Sequence, residues 1–157
     1  MERTLVLIKP DAVQRRLVGR IVARFEAKGL QLVALKMMKV SEELARRHYA
    51  PHEGKPFYEP LIRFMTGGPT VALILEGKRA VEVVRRMMGP TFGPDAPPGT
   101  LRGDFAVSNR FNLVHGSDSP ETAEKEIALF FDEAELVDWW PDDMEQVYDF
   151  SEGGEPV

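Results

Sequence analysis

Between Thr4 and Ile8 the chain places four apolar residues in a row, and Lys9-Pro10 stops the run. Five residues cannot make a buried helix, so this is a buried strand. Leu17, Ile21 and Phe25 then recur every four residues, with Val18 and Val22 beside them, up to Gly29. That spacing is an amphipathic helix closed by a glycine. A strand period followed at once by a helix period sets the grammar for the rest. Leu30–Val40 reads as a long strand, and Ser41 with Glu42 and Glu43 opens a helix that Pro51 ends. Phe57–Met65 reads as a short helix, Val71–Leu75 as a third strand, Lys78–Met88 as a helix and Phe111–Val114 as a fourth strand. Ser119-Pro120-Glu121 is a helix start, with Ala123, Ile127 and Phe130 as its apolar stripe. Gly89–Gly103, rich in glycine and proline, reads as a long irregular loop, and loops of that length are often functional. The order suits an α+β fold: a ferredoxin-like βαββαβ sandwich with a four-stranded antiparallel sheet and helices on one of its faces.

A chain of 157 residues suits one domain, here residues 1–150 with an acidic, flexible tail over 151–157. No apolar run is long enough to span a bilayer, and the start of the chain lacks a signal segment. There is no cysteine, which excludes disulfides and thiolate metal sites and makes a cytoplasmic location the expectation. The net charge of −5 conceals a division. Asp132–Val157 carries ten acids and no Lys or Arg, which leaves 15 acids against 20 bases over Met1–Phe131. Two readings stay open: a solvated acidic end, or a basic body suited to a polyanion.

The chain has three histidines. His48 and His52 are four apart, a metal-binding spacing on a helix, but Pro51 between them breaks the helix and no acid completes a zinc pattern. They read as surface or capping residues. His115 ends the Phe111–Val114 strand, Gly116 leaves room beside it, and a helix begins within four residues. Free N–H groups at such a helix start favour an anion. On local sequence His115 is either a structural histidine or a nucleophile, since a neutral imidazole keeps one nitrogen free. A carboxylate on the other nitrogen would fix the tautomer, and Glu126 on the following helix is the candidate. Arg85, Thr91 and Arg102 flank the Gly-Pro loop and suit phosphate oxygens. No P-loop, GxGxxG or protein-kinase pattern occurs.

Asn112-Leu113-Val114-His115-Gly116-Ser117-Asp118 resembles the N-x-x-H-G/A-S-D signature of nucleoside diphosphate kinases. Leu7–Val13, His48-Tyr49, Lys55–Tyr58 and Pro98–Asp104 resemble further segments of that family, and the likeness spans Glu2 to about Leu136. The resemblance implies transfer of the γ-phosphate of a nucleoside triphosphate to a diphosphate, by a ping-pong route through phosphohistidine on His115 Nδ1. It implies that Glu126 and Ser117 hold the imidazole. Lys9, Tyr49, Arg85, Thr91 and Arg102 would surround the phosphates, Lys9 and Asn112 meet the sugar, and Phe57 stack on any base. No permanent metal is implied; Mg²⁺ would arrive with the nucleotide, near Asp118. A homo-oligomer is implied, a hexamer favoured over a tetramer by the long C-terminal end. No membrane and no specific nucleic acid are expected as partners.

Arg110-Phe111 departs from the family's usual Gly-Arg before the asparagine, and the expectation is a local loop adjustment that keeps Asn112 in place. The loop before Arg102 carries extra prolines, at a place where the family often contacts neighbouring subunits. Two other readings compete: a module binding single-stranded nucleic acid on Phe57, Tyr58 and Tyr49, and an inactive scaffold, which would need a lost site residue.

Overall fold

A computed structural model describes residues 1–157. Strand β1 (Glu2–Ile8) leads into a short helix α1 (Pro10–Gln14) and helix α2 (Val18–Ala27), followed by β2 (Gln31–Met38). Helices α3 (Glu42–His48) and α4 (Tyr58–Thr66) precede β3 (Thr70–Gly77) and α5 (Ala80–Met88). Helix α6 (Leu101–Phe105), strand β4 (Val114–Gly116), α7 (Pro120–Phe130) and α8 (Met144–Val147) complete the chain. The sheet order is β2-β3-β1-β4 and every pairing is antiparallel. This is the expected ferredoxin-like α+β sheet, with an extra helical pair between β2 and β3.

The helices cover both faces of the sheet, not one. Leu5 and Leu7 of β1 and Ala72 and Ile74 of β3 pack with α3, α4 and α7 through Ala45, Ile62 and Phe130. Val6 and Ile8, with Leu73 and Leu75, pack with α2 and α5 through Ile21, Phe25 and Val84. The reason lies in the uninterrupted apolar runs. Successive side chains alternate between faces, so a run without polar alternation puts large apolar groups on both. Each is worth about 1.5–3 kcal/mol when buried, and an uncovered face would forfeit several of them.

Local signals set most element ends. Ser41 Oγ accepts from Leu44 N at 3.1 Å, and Ser119 Oγ accepts from Thr122 N at 3.1 Å. Both hydroxyls satisfy orphan donors of a first helical turn. Gly29 closes α2 with φ +97°, where Val147 leaves no room for a Cβ. Two stretches differ from the sequence expectation. Within Gly89–Gly103 the chain turns helical at Leu101, capped by Thr100 Oγ1, which accepts from Gly103 N at 2.9 Å. The fourth strand starts at Val114, three residues late. Val114 N donates to Asn112 O at 2.8 Å, and Leu113 between them has φ +75°. This is a γ-turn of the rarer, strained hand, and no apolar pattern announces it.

The C-terminal segment runs along the β2 edge. Val137 N donates to Val33 O at 2.9 Å and Trp139 Nε1 to Leu32 O at 2.8 Å. Leu35 and Met37, further along β2, stay exposed. No helix is long and apolar enough to cross a membrane.

Gly103 is where loop and α6 meet most closely. A Cβ there would stand 1.9 Å from the Pro97 carbonyl oxygen, whereas one at Gly19 in α2 would meet nothing within 4 Å. Gly103→Ala is expected to lower stability by about 1–3 kcal/mol, and Gly19→Ala to leave it unchanged or raise it. Urea unfolding midpoints measure both; equal midpoints would mean the loop yields without cost.

Candidate active site

β4 is an edge strand, paired with β1 so that His115 lies opposite Leu7 and Gly116 opposite Val6. Opposed residues share a face, so His115 looks toward α3 and α7, and Gly116 toward α5. Contrary to the sequence expectation, the space at Gly116 does not serve His115. It is filled from the other face by Met88, whose Sδ lies 2.6 Å from where a Cβ would be. His115 itself is the middle residue of β4 rather than the residue after a strand.

His115 Nε2 lies 2.8 Å from Glu126 Oε2, and Ser117 Oγ donates to Glu126 Oε1 at 2.6 Å. Burial alone would raise the Glu126 carboxyl, but the hydrogen bond and charge of His115, with Ser117 and His48, outweigh it and hold it below its ordinary range. An ionised carboxylate can only accept. Nε2 therefore carries the proton, and the lone pair of the neutral ring sits on Nδ1.

A cleft of about 630 Å³ opens over this ring. Lys9, Tyr49, Arg85 and Thr91 line it with Arg102, Asn112, Asp118 and Glu126, so the polar residues singled out in the sequence converge there. Ser117 stands behind, buried under Glu126. Phe57 is not a wall of the cleft; it is half exposed, with its ring 5.3 Å from that of His52, which is. Tyr49 and Tyr58 are buried, so the three rings form no open stacking platform.

The basic groups are held in different ways. Arg102 is buried: Nε donates to Asn112 O at 3.1 Å, Nη1 to Gly89 O at 2.9 Å and Nη2 to Val114 O at 2.7 Å. Three of its five N–H groups are thus spent on backbone and two remain. Burial, with Arg85 nearby, lowers its pKa to about 10, which still leaves it charged at neutral pH. Lys9 is buried too and donates through Nζ to Asn112 Oδ1. Burial takes its pKa down to about 8, against Asp11, which raises it, and with Arg102, which lowers it further. Arg85 is exposed. Burial pushes the Tyr49 hydroxyl well up, so it stays protonated and can donate.

Asn112 keeps its place despite the unusual residues before it. Its Nδ2 donates to Thr91 O at 3.0 Å, while Phe111 turns out toward Phe64, ring centroids 5.8 Å apart. The strained Leu113 is pinned by Asp11, whose Oδ2 accepts from Leu113 N at 3.0 Å.

His48 is the residue that sequence reasoning misplaced. Far from being a surface group, it is buried between His115 (ring centroids 4.7 Å apart) and Phe130 (5.1 Å). Burial, with His115 alongside, takes its pKa down to about 4, so the ring is neutral. A signal existed: His48 follows Leu44 by four residues and Ala45 by three, which puts it on the inward face of α3.

Comparison with known proteins gives this geometry a family. Residues 2–136 match the family model described as nucleoside diphosphate kinase. The chain is 57% identical to the nucleoside diphosphate kinase of Staphylothermus marinus over 138 residues, covering 88% of this chain and 98% of that one. It is 58% identical to that of Thermus thermophilus, over 87% of this chain and 100% of the relative. Among solved structures, the halophilic nucleoside diphosphate kinase of Halobacterium salinarum, in complex with CDP, superposes with a TM-score of 0.92 at 52% identity, over 94% and 99% of the two chains. A shared fold alone would leave function open, but identity at this level over nearly the whole length does not. The chain belongs to the nucleoside diphosphate kinase family and is a nucleotide phosphotransferase.

Proposed function

We propose that His115 is the covalent carrier of the phosphoryl group. The observation that carries this reading is the His115–Glu126–Ser117 chain at the base of a cleft rich in cations. With Nε2–H held by Glu126, the Nδ1 lone pair attacks the γ-phosphorus of a nucleoside triphosphate, and the bond to the diphosphate oxygen breaks. The diphosphate departs, a second diphosphate enters, and its terminal oxygen takes the phosphoryl group back from Nδ1. Glu126 offsets the positive charge that the ring gains in each half-reaction.

The phosphoryl oxygens carry the developing charge, and fixed positive groups stabilise it. Lys9, Arg85 and the two free N–H groups of Arg102 supply that charge; Tyr49 and Thr91 supply hydroxyl donors. Lys9 and Asn112 also meet the sugar hydroxyls. Phe57, at the cleft mouth, stacks on the base without reading its edges, which gives little base selectivity. Asp118 is exposed and lines the cleft, a fitting oxygen ligand for Mg²⁺ carried by the nucleotide. The ion, when bound, neutralises phosphate charge. On this reading the working compartment is the cytoplasm, where nucleotides are pooled.

A homo-oligomer, hexamer rather than tetramer, belongs to the same reading. It is supported by Leu35 and Met37 left bare on edge strand β2, and by Val107, 90% exposed near the proline-rich loop. Edge strands with apolar side chains are ordinarily covered. Sedimentation equilibrium is expected to give six chains per particle; a monomer would refute the reading.

Incubation with γ-labelled ATP is expected to leave an acid-labile, alkali-stable phosphoryl group on the protein, and His115→Ala to abolish it. Full labelling of that variant would refute the mechanism. In the same assay Phe57→Ala should weaken all nucleotides alike, by about 1–3 kcal/mol for a lost stack; a loss confined to one base would contradict non-selective stacking.

Lys9 gives a pH dependence. Its depressed pKa means that the free enzyme loses this charge as pH rises through about 8, whereas a bound polyphosphate holds the proton on. Affinity is therefore complete below that pH and falls above it. Calorimetric titration with a nucleoside diphosphate from pH 6.5 to 9.5 (roughly spanning that value) should show the fall, and Lys9→Gln should remove it.

A further inference from the structure

The base of the cleft holds a histidine that phosphoryl transfer does not use. The side chain of His48 is 2% exposed, and neither of its ring nitrogens has a hydrogen-bond partner. A buried polar atom left unpaired in this way is destabilising. Its Nδ1 stands 3.4 Å from Glu126 Oε2, the same oxygen that holds His115 Nε2 at 2.8 Å. One donor atom from each of the three residues can be chosen so that all lie within 4.8 Å of one another.

We propose that His48, His115 and Glu126 form a binding site for Zn²⁺, or a divalent ion of like softness, and that its occupation switches phosphoryl transfer off. Two imidazoles and a carboxylate with a fourth position open to solvent is a set that zinc takes and Mg²⁺ does not favour. Zinc ligands about 2.0–2.1 Å from the ion at tetrahedral angles are about 3.3 Å apart. The His48–Glu126 separation, 3.4 Å, is already near that value; His115 must leave its hydrogen bond, and the two imidazoles, whose donor atoms lie within 4.8 Å, must draw together around the ion. Ser117, bonded to the other oxygen of Glu126, orients the carboxylate as an outer partner does in metal sites. The ion can reach the site through the cleft, which His48, His115 and Glu126 all line.

The consequence follows from the proton count on one ring; it rests on His115 being the phosphoryl acceptor. In the metal-free protein Nε2 bears the proton and Nδ1 the lone pair. Zn²⁺ takes the lone pair of Nε2, so the ring proton moves to Nδ1 with no net proton released. Nδ1–H has no lone pair in the ring plane and cannot attack phosphorus. The ion thus inhibits by reversing the tautomer that Glu126 otherwise enforces, without occupying the phosphate subsites.

The test uses the metal alone and then the labelling reaction. Titration of the nucleotide-free protein with ZnCl₂ is expected to show one ion bound per chain at this site, and His48→Gln to weaken it at least about a hundredfold, the upper end of what losing a mere outer partner costs. His48→Phe, which keeps an apolar ring among Phe130 and Tyr49, guards against a folding defect in the first variant. In wild-type protein, Co²⁺ should give the intense visible spectrum of four-coordinate nitrogen and oxygen ligation, independent of either variant. Single-turnover labelling by γ-labelled Mg·ATP should be slowed by prior Zn²⁺ in wild type and unaffected by it in the His48 variants. Equal Zn²⁺ affinity in wild type and variants, a weak six-coordinate Co²⁺ spectrum, or inhibition that persists without His48 would each overturn the proposal. Metal-free protein that fails to label would instead refute the His115 reading, so the two failures are distinct.

Discussion

One buried guanidinium joins the parts on which the site depends. Arg102 donates to the carbonyls of Gly89, Asn112 and Val114, which belong to the end of α5, the turn before β4, and β4 itself. A charge taken out of water persists only when richly bonded, so these three bonds and the burial of Arg102 require one another. They fix the path of a chain that crosses a γ-turn at Leu113, where a bulky residue sits at positive φ. Asp11 and Lys9 pin the same turn from the other side, through Leu113 N and Leu113 O. The position of His115, two residues on, is set by this clamp rather than by the three-residue strand that contains it. The two N–H groups left on Arg102 and the ammonium of Lys9 are thereby held at the wall of the cleft.

Charge is sorted in space as well as in sequence. The acid-rich segment after Phe131 runs along the β2 edge, where Glu135 pairs with Lys36 at 2.9 Å. The cleft opens at β4, the opposite edge of the sheet. The acidic end is therefore removed from the cleft, and the basic body reading of the first 131 residues describes the cleft better than the net charge of −5 does. Helices on both faces contribute to this sorting. α3 and α7 bring His48, Tyr49 and Glu126 to one side of β4, and α5 brings Met88 against Gly116 on the other.

Much of this was legible in the residues. The run Thr4–Ile8, the four-residue period of Leu17, Ile21 and Phe25, and the Ser41 and Ser119 caps each define an element by interactions within a few residues, and each stands close to where local chemistry puts it. The motif around His115 identified the family, and Glu126 followed from the need for a carboxylate on the second imidazole nitrogen. What the sequence could not contain were features made by contact across the chain. The second layer of helices, the late start of β4, and the burial of His48 all depend on partners far along the chain, such as Asp11 for Leu113 and Glu126 for His48. Periodicity and capping are local properties, so sequence determined the elements and the chemistry available. Which face each helix covers and which imidazole nitrogen meets a carboxylate are set by long-range packing, and only the tertiary structure decided them.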